Sequence, residues 1–235
     1  MDTTLLNIQN LSAWYNGERK VLSDFSIELD EHEVVGLIGL NGAGKTTFLR
    51  TLSGLHGTFC SDGIWLHGRC ARFRDKGFKN CRYTVFAEDN SFQYFTFREY
   101  VSYVFAAYRK RMPDMTELIQ GFHFEENTNI LLKELSTGSR KKAFLITAFA
   151  LKPELLLLDE PVNGLDFQST EFLYRQIAGY KEYGTVLFSS HILESITLTS
   201  DRVLVLEDGQ IRQTFVSGQI NAADIREALC YEDHV

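Results

Sequence analysis

The chain has 235 residues, a net charge of −7, a hydrophobic fraction of 44% and a charged fraction of 23%. This length suits one large domain with an ample core, and the composition is ordinary for a globular protein. The acidic balance gives no overall attraction to nucleic acid or anionic lipid. We expect no signal peptide and no membrane-spanning segment, because the sequence lacks an apolar stretch of the required length.

Four cysteines are spread along the chain: Cys60, Cys70, Cys81 and Cys230. They form no CxxC pair and have no zinc-ligand spacing. The sequence therefore predicts free thiols in a reducing compartment.

Residues 5–11 and 21–29 alternate between apolar and polar side chains, which is the period of a half-buried strand. A turn signal at residues 15–17 separates them. We expect two or three antiparallel strands here. The ring of Tyr15 or Trp14, at the end of the first strand, is flat enough to stack on a base.

Residues 39–47 match the phosphate-binding loop pattern of Gly, four residues, Gly-Lys-Thr without a mismatch. A short apolar strand at 33–38 precedes the loop and a helix follows it, which is the context that this motif requires. Glycines let the backbone N–H groups approach a phosphate chain at the positive end of the helix. We expect Lys45 to reach the β- and γ-phosphates and the Thr46 hydroxyl to hold Mg²⁺. The nucleotide-binding residues predicted from this loop are Gly39, Asn41, Gly42, Ala43, Gly44, Lys45, Thr46 and Thr47.

Residues 63–66 and 82–87 indicate two further strands, the second ending in Glu88. Between them lies a basic cluster with interleaved phenylalanines: Arg69, Arg72, Phe73, Arg74, Lys76 and Phe78. Such a cluster can bind nucleic acid, but a solvated loop is the interpretation that we favour.

The aromatic segment, residues 92–108, predicts an amphipathic helix from about Phe97, with apolar side chains at i, i+3, i+4 and i+7 from Val101. These aromatic rings either pack in the core or form a groove for a partner's helix. The basic residues 109–111 suit the negative end of this helix, and Pro113 ends it. A short helix is predicted at 116–121.

Residues 135–139, with the sequence LSTGS, open a helix predicted over 140–151. Either Ser136 or Ser139 is the expected N-cap.

Residues 155–160, with the sequence LLLLDE, are typical of a buried parallel strand whose carboxyl end opens on a site. Asp159 is placed to bind Mg²⁺ beside Thr46, and Glu160 to orient and deprotonate a water molecule. Another apolar strand, 185–190, ends at His191, which we expect to sense a γ-phosphate. A helix around Phe172, a hairpin at 202–216 and a terminal helix at 221–230 complete the prediction.

Together these motifs resemble the ATP-binding subunit of an ABC transporter over essentially the whole chain. The resemblance implies Walker A at 39–47, the signature at 135–139, Walker B at 155–160, the D-loop at 163–166 and the switch histidine at His191. It implies that Glu160, His191 and Lys45 are catalytic and that Tyr15 stacks on the base. The implied fold is α/β, a P-loop NTPase of ABC type with a mostly parallel RecA-like core and an N-terminal antiparallel β-subdomain. One domain, 1–235, would include a helical subdomain at about 90–152 and a hairpin and helix at about 202–235.

Two positions depart from the family pattern. The signature is LSTGS where the family has LSGGQ, so Ser136 and Gly138 remain as donors to a γ-phosphate. Glu88 stands where the family has a glutamine after a strand, with Gln93 as a weaker match. Glu88 still offers an oxygen to Mg²⁺ and joins Thr46 and Asp159 as an expected metal ligand.

The resemblance further implies a head-to-tail pair in which each ATP, with Mg²⁺, lies between one phosphate loop and the partner's signature helix start at Ser136 and Gly138. It also implies that Asp166 of the D-loop is a nucleotide-binding residue. The partners expected are a second ATP-binding subunit, identical or not, and transmembrane permease subunits, with the chain on the cytoplasmic face. We expect an exporter and no nucleic-acid partner. The alternatives are an ABC ATPase acting on nucleic acid, ribosomes or cofactor assembly, and a cassette that only binds ATP as a regulatory module.

Overall fold

The computed structural model describes residues 3–15 and 19–229; the predicted turn at 16–17 and Cys230 lie outside this range. Within it the strands form two sheets. In chain order the strands are β1 (Thr4–Trp14), β2 (Lys20–Asp30), β3 (Val34–Ile38), β4 (Phe59–Cys60), β5 (Gly63–Leu66), β6 (Arg69–Cys70), β7 (Arg82–Val85), β8 (Leu155–Asp159), β9 (Thr185–Ser190), β10 (Arg202–Glu207) and β11 (Gln210–Val216).

The larger sheet has the strand order β11-β10-β3-β9-β8-β7 and is parallel from β10 to β7. Only β11, paired with β10 in the predicted hairpin, runs antiparallel. Every residue of β3, β8 and β9 is buried, as their apolar runs predict. The predicted mostly parallel α/β core is confirmed, and β10 extends it next to the strand that leads into the phosphate loop.

The smaller sheet is antiparallel, with the order β2-β1-β5-β6 and β4 also paired to β1. The prediction of strands before the phosphate loop is confirmed, with β1 and β2 each eleven residues long. Three short strands that follow the loop, β4 to β6, complete the sheet. Sequence reasoning identified only one of these three, because a two-residue strand has no periodicity to detect.

The helices are α1 (Lys45–Leu52), α2 (Lys76–Cys81), α3 (Phe97–Ala107), α4 (Thr116–Gly121), α5 (Thr137–Leu151), α6 (Phe167–Gly179), α7 (Leu193–Thr199) and α8 (Ala222–Leu229). Helices α3 to α5 all lie between β7 and β8 in the chain. None of the helices in the described part of the chain has the length and apolar character needed to cross a bilayer.

Alternate residues of the central strands supply two cores, one on each face of the larger sheet. Val35 and Leu37 face the smaller sheet, α1 and α2, and Val34 and Ile38 face the remaining helices. The alternation follows from the two-residue period of a strand. The loop between β3 and α1 is thus anchored in a strand that is covered on both faces.

Three local predictions need correction. Helix α5 begins at Thr137 rather than residue 140, because Ser136 accepts a hydrogen bond from the Ser139 N–H and caps it. Helices α2 and α7 were not predicted. Lys110 caps the carboxyl end of α5 rather than α3, because its ammonium donates to the carbonyls of Leu151 and Lys152 at 2.9 and 3.0 Å.

The basic cluster is built differently from a nucleic-acid surface. Phe73 and Phe78 are 2% and 1% exposed, pack edge to face, and belong to the core beneath α2. Their rings are therefore not available to stack on bases. The cations around them are exposed, but Arg69 and Lys76 lie in β6 and α2, so the segment is not a loop throughout.

Candidate functional site

The phosphate loop requires glycine at defined positions. Gly42 and Gly44 have φ angles of 88° and 109°, in the left-handed region that other residues rarely adopt. A Cβ on Gly39 would lie 2.3 Å from the carbonyl oxygen of Leu206, so the loop packs directly against β10. These positions give the backbone a cradle that side chains do not obstruct, which fits a phosphate chain at the start of α1.

Lys45 is folded back over this loop. Its ammonium donates to the carbonyls of Gly39 and Leu40 at 2.7 and 3.2 Å, and its nitrogen lies 4.0 Å from Oε1 of Glu160. Burial lowers the pKa of Lys45, and the negative charges of Glu160 and Asp159 partly oppose that shift. A buried ammonium on a glycine loop is suited to an anionic ligand.

Asp159, the last residue of β8, is 1% exposed. Its Oδ1 accepts from the Thr46 hydroxyl at 3.2 Å and from the Ser189 hydroxyl at 2.7 Å. The three residues meet because the carboxyl ends of parallel strands lie at one edge of the sheet. A hydroxyl and a carboxylate are hard oxygen donors, so the predicted pair of Thr46 and Asp159 fits Mg²⁺.

Glu160 has its main chain in the left-handed region, with φ 47°. Its N–H donates to the Ser189 hydroxyl at 3.0 Å, and its carbonyl accepts from the Lys141 ammonium at 2.9 Å. Its Oε2 lies 2.8 Å from Nδ1 of His191. The structure thus brings together the predicted Glu160, His191 and Lys45.

The signature turn is exposed at its tip. Ser136 and Thr137 are exposed at the start of α5, and Ser136 also donates to the Ser139 hydroxyl at 3.0 Å. Gly138 packs against the D-loop, because a Cβ there would lie 2.2 Å from the Gly164 carbonyl oxygen. The turn therefore presents a helix start to solvent while its base rests on residues 163–166.

Asp166 is engaged within its own chain. It caps α6 by accepting from the Ser169 N–H, and its Oδ2 lies 2.5 Å from the Lys142 ammonium. The hydrogen bond from Lys142 holds the pKa of Asp166 well below its usual range. Lys142 on α5 and Asp166 before α6 thus join the signature helix to the D-loop.

Tyr15 and Glu88 lie outside the group of contacting residues formed by Lys45, Asp159 and Glu160. The Tyr15 hydroxyl is 3.3 Å from that of Thr47, and its half-exposed ring packs on His56 at 4.7 Å. Glu88 is exposed and lines a cavity with Lys141. Among the described residues, no hydrogen bond or ion pair joins Glu88 to Thr46 or Asp159.

Sequence reasoning missed two residues that hold Asp159 and Glu160 in place. Ser189 touches both Asp159 and Glu160, and Lys141 touches the Glu160 carbonyl. Ser189 carried a weak signal, because serines end an otherwise apolar strand at 185–190, whereas nothing in the local sequence marked Lys141.

The family model described as ABC transporter matches residues 22–163. The chain belongs to this family. A Bacillus subtilis (strain 168) relative, "Putative ABC transporter ATP-binding protein AlbC", is 35% identical over 223 residues, covering 92% of this chain and 93% of the relative. The chain is thus the ATP-binding subunit of an ABC transporter, and it is an ATPase.

Two further relatives differ in the direction of transport that their names state. "SkfA peptide export ATP-binding protein SkfE" of Bacillus subtilis (strain 168) is 33% identical, covering 89% of this ABC chain and 88% of the relative. "Sulfate/thiosulfate import ATP-binding protein CysA" of Shigella flexneri is also 33% identical, covering 92% of the chain and 61% of the relative.

Solved structures agree on the ABC fold. "Structure of ATP binding subunit of ABC transporter" matches with a TM-score of 0.81 and 28% identity, covering 95% of this chain and 92% of that one. A dimeric ATP-binding cassette bound to ADP and Pi matches with a TM-score of 0.78 and 19% identity, covering 90% of this chain and 98% of that one. The predicted fold class, a P-loop NTPase of ABC type, is confirmed.

Proposed function

We propose that the chain hydrolyses ATP between two closed cassettes and so powers export by a separate membrane permease. The observation that carries the proposal is the convergence of Lys45, Thr46, Asp159, Glu160 and His191. Their side chains form two contacting sets at the carboxyl ends of β3, β8 and β9. Glu160 lies 4.0 Å from Lys45 and 2.8 Å from His191, and Asp159 lies 3.2 Å from Thr46.

Each residue has a role that its position supports. Lys45 and the loop N–H groups bind the phosphates of ATP, and Thr46 and Asp159, with Glu88, hold Mg²⁺. When bound, Mg²⁺ neutralises charge on the transferring phosphoryl group. Glu160 accepts a proton from the attacking water. His191 holds the Glu160 carboxylate and meets the γ-phosphate, and Tyr15 stacks on the base.

The second cassette completes the site. Ser136 and Gly138 lie at the exposed start of a 15-residue helix, whose positive end suits a phosphate supplied by another subunit. The γ-phosphate gains these donors only when the partner closes, and its loss on hydrolysis releases them. The dimeric ADP-bound cassette of the same fold supports a dimer.

A groove beside Glu88 is our candidate for the permease contact. Its lining includes Leu55, Phe92 and Tyr103, and Leu55 and Tyr103 are 70% and 52% exposed. The inner face of α3 is core, as one interpretation of the aromatic segment predicts, and we assign the other interpretation, a groove for a partner's helix, to its outer face. The groove suits an apolar helix of the permease. We propose that this contact holds the chain on the cytoplasmic face.

The export direction and the domain organisation are part of the proposal. The aromatic segment and the LSTGS signature led us to export, whereas the names of the relatives include both directions. We propose that 1–235 is a single ATPase domain with the helical insertion at about 90–152. Transport assays in vesicles of known orientation, with the cognate permease, test the direction.

Three variants test the ATPase site. Lys45→Ala should abolish binding of labelled ATP, because the buried cation at the loop is lost. Glu160→Gln should bind ATP, stay closed as a dimer in gel filtration, and lose turnover. Glu154→Gln, an exposed acid one position before β8 at its opposite end, is the control and should behave as wild type. Wild-type turnover in Glu160→Gln would refute the assignment of the base.

A further inference from the structure

Lys141 is a buried cation in an unfavourable place. It lies in the second turn of α5, and it is 4% exposed. Burial lowers its pKa, opposed by the negative charges of Asp159, Glu160 and Glu88. Removing an ammonium from water is costly, so its retention here requires a compensating interaction.

The compensating contact is with the main chain of Glu160, whose carbonyl accepts from the Lys141 ammonium at 2.9 Å. The N–H of the same residue is fixed by Ser189 at 3.0 Å. Glu160 is therefore bonded on both sides while it adopts φ 47°, a conformation that costs a non-glycine residue energy. The two bonds come from different elements, β9 and α5.

The direction of the Glu160 side chain depends on this backbone conformation. With φ at 47°, its Oε2 lies 2.8 Å from His191 Nδ1 and its Oε1 lies 4.0 Å from Lys45 Nζ. A return of φ to the ordinary negative region would swing the Cα–Cβ bond away from both partners. Whatever holds the main chain of Glu160 thus also aims its carboxylate.

Lys141 also lies one turn from the residues that meet a second subunit. It follows Ser136 by five positions and Gly138 by three on the same rigid helix. A displacement of the helix start is therefore carried to the Glu160 carbonyl. Glu88, whose charge attracts Lys141 across their shared cavity, connects the same lysine to the segment beside the aromatic groove.

We propose that Lys141 is a positioning residue that holds Glu160 in its reactive conformation and makes that conformation depend on the seating of the signature helix. The inference rests on the proposed role of Glu160 as the base. It means that contact between Ser136 and the ATP bound by the partner changes the conformation of Glu160 in the chain to which Ser136 belongs.

The test compares Lys141→Met with Lys110→Met. Lys110 is the matched control because it makes the same kind of bond, ammonium to carbonyl, at the far end of α5. Lys141→Met should lower kcat on the order of 100-fold, the effect of a reacting group displaced by about 1 Å, with KM for ATP changed less than about threefold. Lys110→Met should lower the melting temperature and leave kcat unchanged.

A readout independent of turnover is hydrogen exchange at the Glu160 amide, measured by NMR. Exchange should accelerate in Lys141→Met and not in Lys110→Met, because the left-handed turn loses one of its two supports. Lys141→Arg, which keeps charge and donor, should restore most of kcat. If Lys141→Met does not fold, Lys141→Ala serves in its place, since alanine is well tolerated in a helix and has no side-chain donor.

A double-mutant cycle separates this inference from the proposed function. In a Glu160→Gln background, Lys141→Met should have little further effect on residual turnover, since both changes act through one carboxylate. Unchanged kcat in Lys141→Met, or a full additional loss in the Glu160→Gln background, would overturn the positioning role. Wild-type turnover in Glu160→Gln alone would instead reject the assignment of the base.

Discussion

The contact between Gly138 and Gly164 leads to a sharp prediction for Gly138→Ala. The added Cβ would lie 2.2 Å from the Gly164 carbonyl oxygen and 3.3 Å from its carbon. Both neighbours are backbone atoms, so no side chain can rotate away. Since α5 is bonded to its surroundings by Lys141, Lys142 and Lys110, the strain must separate the signature turn from the D-loop.

The size of the effect follows from this distance. An ordinary contact of about 3.5 Å between the new methyl group and this oxygen requires more than 1 Å beyond the 2.2 Å that the structure provides. Overpacking of this kind costs about 1–3 kcal/mol of unfolding free energy. A shift of about 1 Å at a site residue reduces turnover on the order of 100-fold. We therefore expect a modest loss of stability together with a large loss of kcat.

The control is Gly77→Ala, since Gly77 is the second residue of α2 as Gly138 is of α5. A Cβ at Gly77 meets nothing within 4 Å, so this variant should gain about 0.5 kcal/mol by restricting the unfolded chain and keep full turnover. Steady-state hydrolysis and urea unfolding of both variants make the comparison. Wild-type kcat in Gly138→Ala would show that the signature turn and D-loop need no close contact, and would refute the argument.

Two more predictions concern residues that support the site. Ser189→Ala should lower the free energy of unfolding in urea by about 2 kcal/mol, because the buried Asp159 loses a donor. Ser190→Ala is the control and should cost about 1 kcal/mol, because its partners are uncharged. Equal losses in the two variants would show that the contact with Asp159 is not the cause. Lys142→Met should be less stable than wild type at pH 7, because the lowered pKa of Asp166 stabilises the fold at any pH above the unfolded value near 3.9. That difference in melting temperature should shrink as pH falls below about 4; a constant difference would mean that packing, not the ion pair, is lost.

The sequence predicted the parts of the molecule whose physical signal is local. Apolar runs at 34–38 and 155–159 gave buried strands, and the glycine spacing of 39–47 gave the phosphate loop. The contacts of Ser189 and Lys141 with Glu160 join residues 29 and 19 positions apart. No local pattern encodes them, because they depend on how strands and helices pack. The same holds for Lys110, whose target lies on another helix.

The long-range contacts help to explain the two departures from the family pattern, Glu88 and the LSTGS signature. Glu88 adds a negative charge to a cavity that also contains Lys141, and the attraction between them balances that charge. The main-chain N–H of residue 139 still donates to Ser136, and the Ser139 hydroxyl also accepts from the Ser136 hydroxyl, so the turn keeps its cap without the family's glutamine. Neither substitution removes a group that touches Asp159, Glu160 or His191. The effect of Ser139 on turnover should therefore act through the seating of α5, which Lys141→Met measures directly, whereas Glu88 also acts as the proposed Mg²⁺ ligand.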